Sequence, residues 1–429
     1  MILYNIMKRN ILKYSLREIR NKIYRIKKLE RRNKEYLHLT PNENQLSRIA
    51  NSFLSSKLSE RYYFGGNSEK AVELELISLL GLPEMSELMM MAESAFRKRV
   101  KASVINLNCL SGIHAMTSVL LAVTDPGDTV MTVRVRDGGH FMTQNILKRI
   151  GRKQIYAEYN LNNLKFDTSK LAENFKKNEP KVIYLDFLSI IYPINLREIR
   201  DALGNNVVII YDASHPLGLI FGGEFQSPLD EGADIIVANT HKTFPGPHKG
   251  IVAFKNKKTG EFLNAEINRS FLSTSHTNHS IALAITALEM EKYGDSYARQ
   301  IIENSNSLGM FLNEKGYNIE KTPDGRFSHS HQLHIILGKE HNRKKIFNNL
   351  VNNNISINLN RRNEGEYFLR IGTQEVTRRG MESKEMESIA DILHKAIIGK
   401  SVIKDVKALN NRFRTIKFSF DGLADFAEL

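Results

Sequence analysis

Residues 233–250, ADIIVANTHKTFPGPHKG, join an apolar run of strand length to a lysine and then to a loop rich in proline and glycine. Two runs of the same kind precede it, KVIYLDF at 181–187 and VVIIY at 207–211. Unbroken apolar runs are typical of strands that are buried on both faces, as in a parallel sheet covered by helices. The sequence therefore predicts an α/β fold whose large domain contains a mostly parallel sheet.

Segments on either side extend this pattern. VINLN at 104–108 and TVMTVRV at 129–135 predict two more strands, and LREIRDALG at 196–204 predicts a crossover helix that ends at a glycine. Two long helical stretches follow at 279–293 and 297–316, and the chain then becomes α+β. We predict three parts, namely a basic helical arm over 1–46, a large domain over 47–290 and a smaller C-terminal domain over 291–429.

Two further helices are predicted at the start of the large domain. Thr40 has the chemistry of a helix N-cap, Pro41 suits the first helical position, and Glu43 follows three residues after the cap. A helix is therefore expected from Pro41 into the apolar pattern that follows it. The stretch SEKAVELELISLLGL at 68–82 predicts the second helix.

The composition is that of a globular enzyme rather than a membrane protein. The 429 residues are 41% hydrophobic and 25% charged, with a single cysteine, Cys109. No run of eighteen apolar residues occurs, so no membrane span is expected. A lone cysteine fits a reducing compartment, and we expect a cytoplasmic protein.

The net charge of +14 is concentrated in the arm. Residues 1–36 hold twelve lysines and arginines against three glutamates, a net charge of +9, and their apolar positions recur at helical spacing. We expect this basic amphipathic helix to pack one face on the body or on a partner subunit. Binding of an anion, RNA or a membrane surface is the alternative, as is an organellar transit peptide, but nucleic acid is not expected as a partner.

Polar residues follow three of the predicted strands. Asp212 comes directly after VVIIY with His215 three residues on, Lys242 follows ADIIVANTH, and His140 follows TVMTVRVRDGG. Binding sites in such sheets lie beyond the carboxyl ends of the strands. A lone lysine is usually solvated, but one beside a carboxylate at this edge is a candidate nucleophile for a Schiff base.

Pyridoxal phosphate would account for the whole set. This cofactor needs a lysine for covalent attachment and a carboxylate beside its pyridinium nitrogen, which Lys242 and Asp212 supply. His140 can lie over the ring. In SGIHA at 111–115, Ser111 and Gly112 precede a helix whose free amides attract a phosphate.

These motifs resemble the serine hydroxymethyltransferase family, among the fold type I pyridoxal-phosphate enzymes that share the aspartate aminotransferase fold. The likeness extends from about residue 30 to about 395. It is carried by NEN (42–44), RYYFGG (61–66), SGIHA (111–115), DGGH (137–140), YDASH (211–215), THKTFPGP (240–247), NHSIA (278–282) and LRIGTQEVTRRG (369–380).

The resemblance implies roles for particular residues. As catalytic residues it implies Lys242, Glu60, His140 and His215. The residues implied to bind cofactor are Ser111, Gly112, His140, Asp212, His215, Thr240, His241, Lys242, Thr274 and Ser275. Substrate binding falls to Arg370, which would bind the amino-acid carboxylate, and to Tyr63 and Asn42. In the family the segment around Glu60 reaches into the neighbouring subunit, which implies a homodimer with shared active sites.

Several positions depart from the family pattern. The Tyr-Pro-Gly loop between Glu60 and the paired tyrosines is missing, and the loop NLNRRNEGEYF at 358–368 is short. Thr274 and Ser275 stand where the family has a glycine pair, and His248 stands where it has an arginine. Since both shortened loops lie where folate would pack, we expect a site for a small amino acid that does not require folate.

The function predicted is pyridoxal-phosphate-dependent aldol-type cleavage or transfer on an amino acid of the glycine, serine or threonine type. Three alternatives stay open at this point. The first is transamination or substitution in a specialised-metabolite pathway, the second is a genuine folate-dependent hydroxymethyltransferase, and the third is a binding protein that keeps the fold without catalysis.

Overall fold

The computed structural model describes residues 14–64, 71–74, 77–363 and 365–426. Its strands are β1 Leu37–His38, β2 Ala71–Leu74, β3 Ile77–Leu80, β4 Val104–Asn106, β5 Thr129–Thr132, β6 Lys153–Tyr156, β7 Tyr159–Asn160, β8 Lys165–Phe166, β9 Val182–Leu185, β10 Val208–Asp212, β11 Ile235–Asn239, β12 Gly250–Phe254, β13 Gln332–Leu337, β14 Ile355–Ser356, β15 Asn358–Asn363 and β16 Glu366–Gly372.

The α-helices are α1 Leu16–Asn33, α2 Arg48–Leu54, α3 Pro83–Val100, α4 Gly112–Val123, α5 Phe141–Arg149, α6 Thr168–Asn178, α7 Leu196–Leu203, α8 Leu217–Phe221, α9 Pro228–Glu231, α10 Lys257–Phe271, α11 Thr277–Glu314, α12 Arg343–Asn352, α13 Gln374–Arg378, α14 Ser383–Ile397 and α15 Ile403–Arg412. Short 3₁₀ turns occupy Lys57–Glu60, Val135–Asp137, Phe420–Gly422 and Ala424–Phe426.

The large domain is built on a seven-stranded sheet in the order β4-β12-β11-β10-β9-β5-β6. Strands β6, β5, β9, β10 and β11 are parallel, and β12 runs antiparallel to both of its neighbours. The predicted α/β class with a mostly parallel sheet is confirmed. The predicted crossover helix is α7, which ends before Gly204, a residue at φ 69°.

The apolar runs are buried because the sheet has a core on each face. Side chains alternate along a strand, so Ile209 and Tyr211 of β10 join one core while Ile210 joins the other. Every residue of β9, β11 and β12 is buried. This double burial explains why these strands are continuously apolar in the sequence.

The C-terminal part of the chain has a hydrophobic core of its own, separate from the two that cover the large sheet. The antiparallel sheet β13-β16-β15 packs with α12 and α14 around it. Helix α11, a single helix of 38 residues, spans both predicted stretches, and the predicted domain limit at 290 falls inside it. Leu37 and Leu39 also belong to this C-terminal core. The domain limits therefore stay a prediction.

Helix α11 passes the large domain at close range. A Cβ on Gly222 would lie 2.5 Å from the carbonyl oxygen of Gly294 and 2.5 Å from the Cβ of Ala298. Only a glycine at 222 allows this approach. The two predicted helical stretches are joined through Gly294 in one helix.

Of the two helices predicted at the start of the large domain, the first begins later than predicted and the second is wrong. Thr40 is buried, and its hydroxyl bonds to that of Ser356 at 2.8 Å, so it belongs to tertiary contacts of β1 instead of capping a helix. Helix α2 begins later, with Ser47 as its N-cap. Within 68–82, β2 and β3 pair antiparallel, because charged and apolar residues alternate there with the period of a strand; residues 65–70 and 75–76 lie outside the described part.

The arm forms α1, capped by a reciprocal Ser15–Glu18 capping box. No residue of α1 is buried, and Leu16 is 86% exposed. Packing of its apolar face on the body of the same chain is therefore wrong, and packing on a partner subunit stays a prediction. Residues 1–13 lie outside the described part. Among the helices that the structure describes, none has the length and apolarity that crossing a membrane demands.

Candidate active site

A cavity of about 240 Å³ opens at the carboxyl ends of β9, β10 and β11, against the N-terminus of α4. The structure thus brings seven of the fourteen predicted site residues to one place. Its lining consists of Ser111, Gly112, Ile113, Met116, His140, Thr143, Asp186, Phe187, Leu188, Asp212, Ser214, His215, Asn239, His241 and Lys242.

Lys242 follows β11 and holds its amine in this cavity. Burial lowers the pKa of Lys242 to about 8, although the nearby charge of Asp212 acts in the opposite direction. With the Asn239 amide turned to satisfy both of its groups, its oxygen accepts from Lys242 Nζ at 3.2 Å. Because a large fraction of the amine is uncharged near pH 8, it is suited to act as a nucleophile.

Asp212 is the last residue of β10, and both of its carboxylate oxygens are held. Tyr184 donates its hydroxyl to Oδ2 at 2.7 Å, and the backbone N–H of Ser214 donates to Oδ1 at 2.9 Å. Hydrogen bonds from two directions fix the carboxylate in position. The group is therefore arranged to hold a proton on a neighbouring basic nitrogen.

His140 is the N-cap residue of α5, and its ring is fixed by the backbone. Its Nδ1 accepts from the N–H of Met142 at 3.2 Å, which leaves the proton on Nε2 when the ring is neutral. Burial is the main cause that lowers the pKa of His140 below its ordinary value. At neutral pH the ring is thus an uncharged flat surface beside the cavity.

His215 is held as a neutral donor by a residue of the smaller sheet. Gln332 donates from Nε2 to His215 Nδ1 at 3.0 Å, so the proton of the imidazole lies on Nε2. Burial keeps the pKa of His215 well below its ordinary value. Its Nε2 is buried and has no hydrogen-bond partner in the part of the chain that the structure describes. Sequence reasoning missed Gln332, because nothing in QLHIIL indicates a contact with a strand end of the other domain.

The predicted phosphate cradle is the start of α4. Ser111 caps this helix by accepting from the N–H of His114 at 3.1 Å. A Cβ on Gly112 would lie 3.0 Å from the Cβ of Asn239, so the helix start approaches the end of β11 closely. The free amides of a helix N-terminus attract an anion, and here they point into the same cavity as Lys242.

Arg370 lies behind the cavity and is 3% exposed. Its guanidinium donates to the carbonyl of Leu188, to Asn358 Oδ1 at 3.2 Å and to Asn42 Oδ1 at 3.5 Å. Its Nε has no partner within the described ranges. Burial lowers the pKa of Arg370 to about 10, so it remains a cation at neutral pH. The structure places the predicted substrate residues Arg370 and Asn42 side by side.

Other predicted residues do not line the cavity of this chain. The Glu60 side chain is 66% exposed, with Arg61 at 3.9 Å. The hydroxyl of Thr240 donates to Pro247 O at 2.5 Å within its own loop. Ser275 lies next to Thr274 and donates to the carbonyl of Tyr63 at 3.5 Å. The roles implied for these residues stay predictions.

The structure adds Asp186, Thr143 and Asn239 to the cavity. Asp186 carries a signal that sequence reasoning passed over. It follows the apolar run of KVIYLDF in the same way that Asp212 follows VVIIY. The same argument from strand ends would have placed it at this edge.

The residues present fit pyridoxal phosphate. Three cavity residues hold a buried polar atom without a partner in the described part of the chain, namely Asp186 Oδ1, His215 Nε2 and His241 Nδ1. Such atoms are costly unless a ligand or water satisfies them. A helix N-terminus for the phosphate, a carboxylate for the ring nitrogen and an uncharged amine for the aldehyde complete the match.

Comparison with known proteins agrees with this site. The family model described as serine hydroxymethyltransferase matches residues 16–393. A fluorothreonine transaldolase of Streptantibioticus cattleyicolor is 32% identical over 90% of the chain, which spans 61% of that relative. A serine hydroxymethyltransferase of Methanobrevibacter smithii is 30% identical, over 90% of this chain and 92% of that protein.

A solved structure extends the likeness to three dimensions. The L-threonine transaldolase of Pseudomonas fluorescens, crystallised in its internal aldimine state, matches with a TM-score of 0.87 at 26% identity, over 99% of this chain and 97% of that one. The chain belongs to the serine hydroxymethyltransferase family, and it is a fold type I, pyridoxal-phosphate-dependent enzyme of the aldol-transfer type.

Proposed function

We propose that this enzyme binds pyridoxal phosphate at Lys242, cleaves a β-hydroxy amino acid of the threonine type, and transfers the glycine portion to an aldehyde without tetrahydrofolate. The names of two relatives, a fluorothreonine transaldolase and an L-threonine transaldolase, support this choice of reaction. The observation that carries it is the small cavity around Lys242.

The cavity holds about 240 Å³ in this chain. Sites for drug-sized ligands usually hold about 300–1,000 Å³. A cofactor and a small amino acid already account for the space available, and a folate would need further surface. The short segment 358–368, which forms β15 and the start of β16, supports the same conclusion. It is one of the two places at which the sequence is shorter than the family pattern.

The cofactor, when bound, supplies an electron-accepting ring that stabilises negative charge at the α-carbon of the amino acid. The residues of this chain hold and orient it. Lys242 provides the attaching amine, Asp212 holds a proton at the ring nitrogen, and the start of α4 binds the phosphate. His140 covers the ring as an uncharged surface, and His215 Nε2 donates towards the cavity.

The amino-acid carboxylate is assigned to Arg370. Its guanidinium is buried, keeps one unpartnered N–H at Nε, and lies beside Asn42. A buried guanidinium can grip a carboxylate through two parallel hydrogen bonds. This contact fixes which bond of the amino acid stands over the ring, while Glu60 of a neighbouring subunit is assigned to the proton of the substrate hydroxyl.

A homodimer is part of the proposal. In this chain Glu60 and Tyr62 are exposed, and the apolar face of α1 is uncovered. A second copy would bury these surfaces and bring Glu60 to a neighbouring cavity.

Cys109, a buried free thiol, supports the cytoplasmic location that we propose.

The test uses the cofactor-loaded enzyme with L-threonine and an added aromatic aldehyde, and chromatography of the new β-hydroxy amino acid and of acetaldehyde. We expect transfer without tetrahydrofolate and little gain when it is added. Lys242→Ala is the control that should form no product. Absence of the transfer product, or a conversion of serine to glycine that requires tetrahydrofolate and saturates with it, would contradict the proposal.

The folate-dependent hydroxymethyltransferase is the second candidate. The family match over residues 16–393 and the serine hydroxymethyltransferases at about 30% identity favour it. It predicts the opposite result when L-serine replaces L-threonine and the aldehyde in this assay. Serine would be converted to glycine with a large, saturable stimulation by tetrahydrofolate, and aldehyde transfer would be weak.

A further inference from the structure

A second carboxyl group, that of Asp186, lines the cavity together with Asp212. Asp186 directly follows β9 and is 3% exposed. Its Oδ2 accepts a hydrogen bond from the hydroxyl of Thr143. Its Oδ1 is also buried and has no hydrogen-bond partner among the described residues, and Asp186 lines the cavity. The protein therefore fixes Oδ2 of this carboxyl, whereas Oδ1 is available to a ligand.

The surroundings of Asp186 disfavour an ionised carboxylate. Among the described residues Thr143 is the side-chain partner of its Oδ2, and Oδ1 has none. No lysine, arginine or histidine of the described part is therefore paired with it, although Lys242, His140, His215 and His241 line the same cavity. Burial raises the pKa of Asp186 well above its usual range, and the charge of Asp212 on the adjacent strand raises it further. Two carboxyls that share a site do not both ionise easily.

The backbone holds this residue in a defined relation to His140. The carbonyl of Asp186 accepts from the N–H of His140 at 3.0 Å, and the Thr143 hydroxyl that bonds its side chain lies on the first turn of the same helix, α5. The helix that presents the ring-covering histidine therefore also positions the carboxyl. A group placed in this way is preorganised for a ligand beneath His140.

We propose that Asp186 is a further binding residue of this site, a neutral carboxylic acid that donates a hydrogen bond from Oδ1 to an anionic oxygen of the bound cofactor or of the amino acid attached to it. This inference rests on the proposed binding of pyridoxal phosphate. A protonated carboxyl has one O–H to donate. Because Thr143 donates to Oδ2, the proton belongs on Oδ1, the atom without a partner.

The alternative protonation state is unfavourable on the same geometry. An ionised Asp186 would set a second negative charge beside Asp212 and beside any anionic ligand oxygen, in a site with low solvent access. A carboxylic acid that is kept neutral by its surroundings can instead stabilise such an oxygen by donating to it. Asp186 would thus assist binding without carrying charge.

The first experiment measures protonation in the cofactor-free protein. Infrared difference spectra are recorded at about pH 8 between the wild type and Asp186→Asn, with Asp201→Asn, an exposed aspartate of α7, as the matched control. We expect Asp186→Asn to remove the carbonyl band of a protonated carboxyl, a band that shifts in heavy water, and the control to leave it. If Asp186→Asn removes no such band, the proposal is overturned.

The second experiment measures ligand affinity by absorbance titration with pyridoxal phosphate, and then with glycine or threonine. We expect Asp186→Ala to weaken one of these affinities about 10- to 100-fold, as for the loss of a hydrogen bond to a charged group. Asp186→Asn should keep part of the affinity, since its amide can donate. If affinity for the cofactor alone is already reduced, the oxygen that accepts from Asp186 belongs to the cofactor. If only the affinity for the amino acid is reduced, that oxygen belongs to the amino acid.

Equal affinities of the wild type, Asp186→Ala and Asp186→Asn for both ligands would overturn the proposal. Circular dichroism shows whether each variant is folded, and Asp186→Asn, which keeps the shape of the side chain, decides the matter if Asp186→Ala does not fold. A wild-type protein that fails to bind pyridoxal phosphate would instead refute the proposed function, while the infrared result would still report the protonation of Asp186.

Discussion

Two buried lysines stand at opposite ends of the loop between β11 and β12, and their amines have different surroundings. Lys242 faces the cavity, with the Asn239 amide as its neighbour at 3.2 Å. Lys249 is 1% exposed, and its amine donates to Ser275 O at 2.6 Å and to Ser280 Oγ at 3.0 Å. Burial lowers the pKa of Lys242 to about 8 and that of Lys249 to about 7.

The difference shows that a lowered pKa does not by itself mark a reactive lysine. Desolvation acts on both amines to a similar extent. The Lys249 amine donates to Ser275, just before α11, and to Ser280, in the first turn of α11. These bonds join the loop between β11 and β12 to the start of that helix. The Lys242 amine has the Asn239 oxygen as its partner at 3.2 Å, and it lies at the cavity, near the carboxylate of Asp212. Access to a cavity, combined with the lowered pKa, identifies the group that can react with a ligand.

The largest expected effect is on covalent attachment of the cofactor. Borohydride reduction of the loaded protein, followed by peptide mass spectrometry, should find pyridoxal on Lys242. Lys242→Ala should abolish this adduct completely, and Lys249→Met should retain it. An adduct on Lys249 in the wild type would break the comparison.

The second prediction concerns stability without cofactor. Lys249→Met removes the amine that donates to Ser275 O and Ser280 Oγ, and only the Ser280 hydroxyl still donates to Ser275 O. It should therefore lower the free energy of unfolding by about 1–3 kcal/mol in urea at about pH 8. Lys242→Met removes a poorly paired buried amine and should change stability by less than about 1 kcal/mol, or raise it. The reverse order would show that Lys242 is the structural lysine.

The third prediction is the pH dependence of stability in the cofactor-free protein. Well below the pKa of about 8, Lys242 is protonated in both folded and unfolded chains, so the cost of burying its charge is fully present. As the pH rises from about 8 towards the ordinary value of 10.5, the folded chain has lost this proton while the unfolded chain keeps it. Stability should therefore rise with pH in this window.

The slope supplied by one lysine is at most about 1.4 kcal/mol per pH unit. Urea unfolding of the wild type and of Lys242→Met at several pH values measures it as a difference, which removes the titration of other groups. We expect the wild type to gain more stability than the variant between about pH 8.5 and 10. Parallel curves would mean that Lys242 titrates normally.

The smallest expected effect is that of Asn239→Ala. This change removes the oxygen that faces the Lys242 amine, and a hydrogen bond to the charged form favours that form. The pKa of Lys242 should fall by less than about one unit, which equals 1.36 kcal/mol. The pH dependence of the rate of cofactor attachment measures it, and Asn195→Ala, outside the cavity, is the control. A rise of the pKa would contradict the assigned orientation of the amide.

Much of the fold followed from simple patterns in the chain. The runs that contain β9, β10 and β11 are buried on both faces, and continuous apolar sequence is the direct consequence. The predictions failed where a local pattern competed with distant contacts. Thr40 has the chemistry of an N-cap, but its hydroxyl is used by Ser356, more than three hundred residues away.

The candidate site shows the same division. Lys242, Asp212 and His140 were predictable, because strand ends in a parallel sheet converge on one edge whatever the details of packing. Gln332 was not, because its contact with His215 depends on how β13 lies against the large domain. Asp186 was present in the pattern, but only its burial and its unpartnered Oδ1 distinguish it from an ordinary turn residue.

The sequence by itself determined the α/β class and the family, and it placed Lys242, Asp212 and His140 after strands, because these depend on periodicity and on local order along the chain. The tertiary structure decided which of the two lysines lies at the cavity, which nitrogen of His215 carries its proton, and that Asp186 has one oxygen without a partner among the described residues. Hydrogen bonding and desolvation act between groups that are distant in sequence, so these properties arise only when the chain is folded.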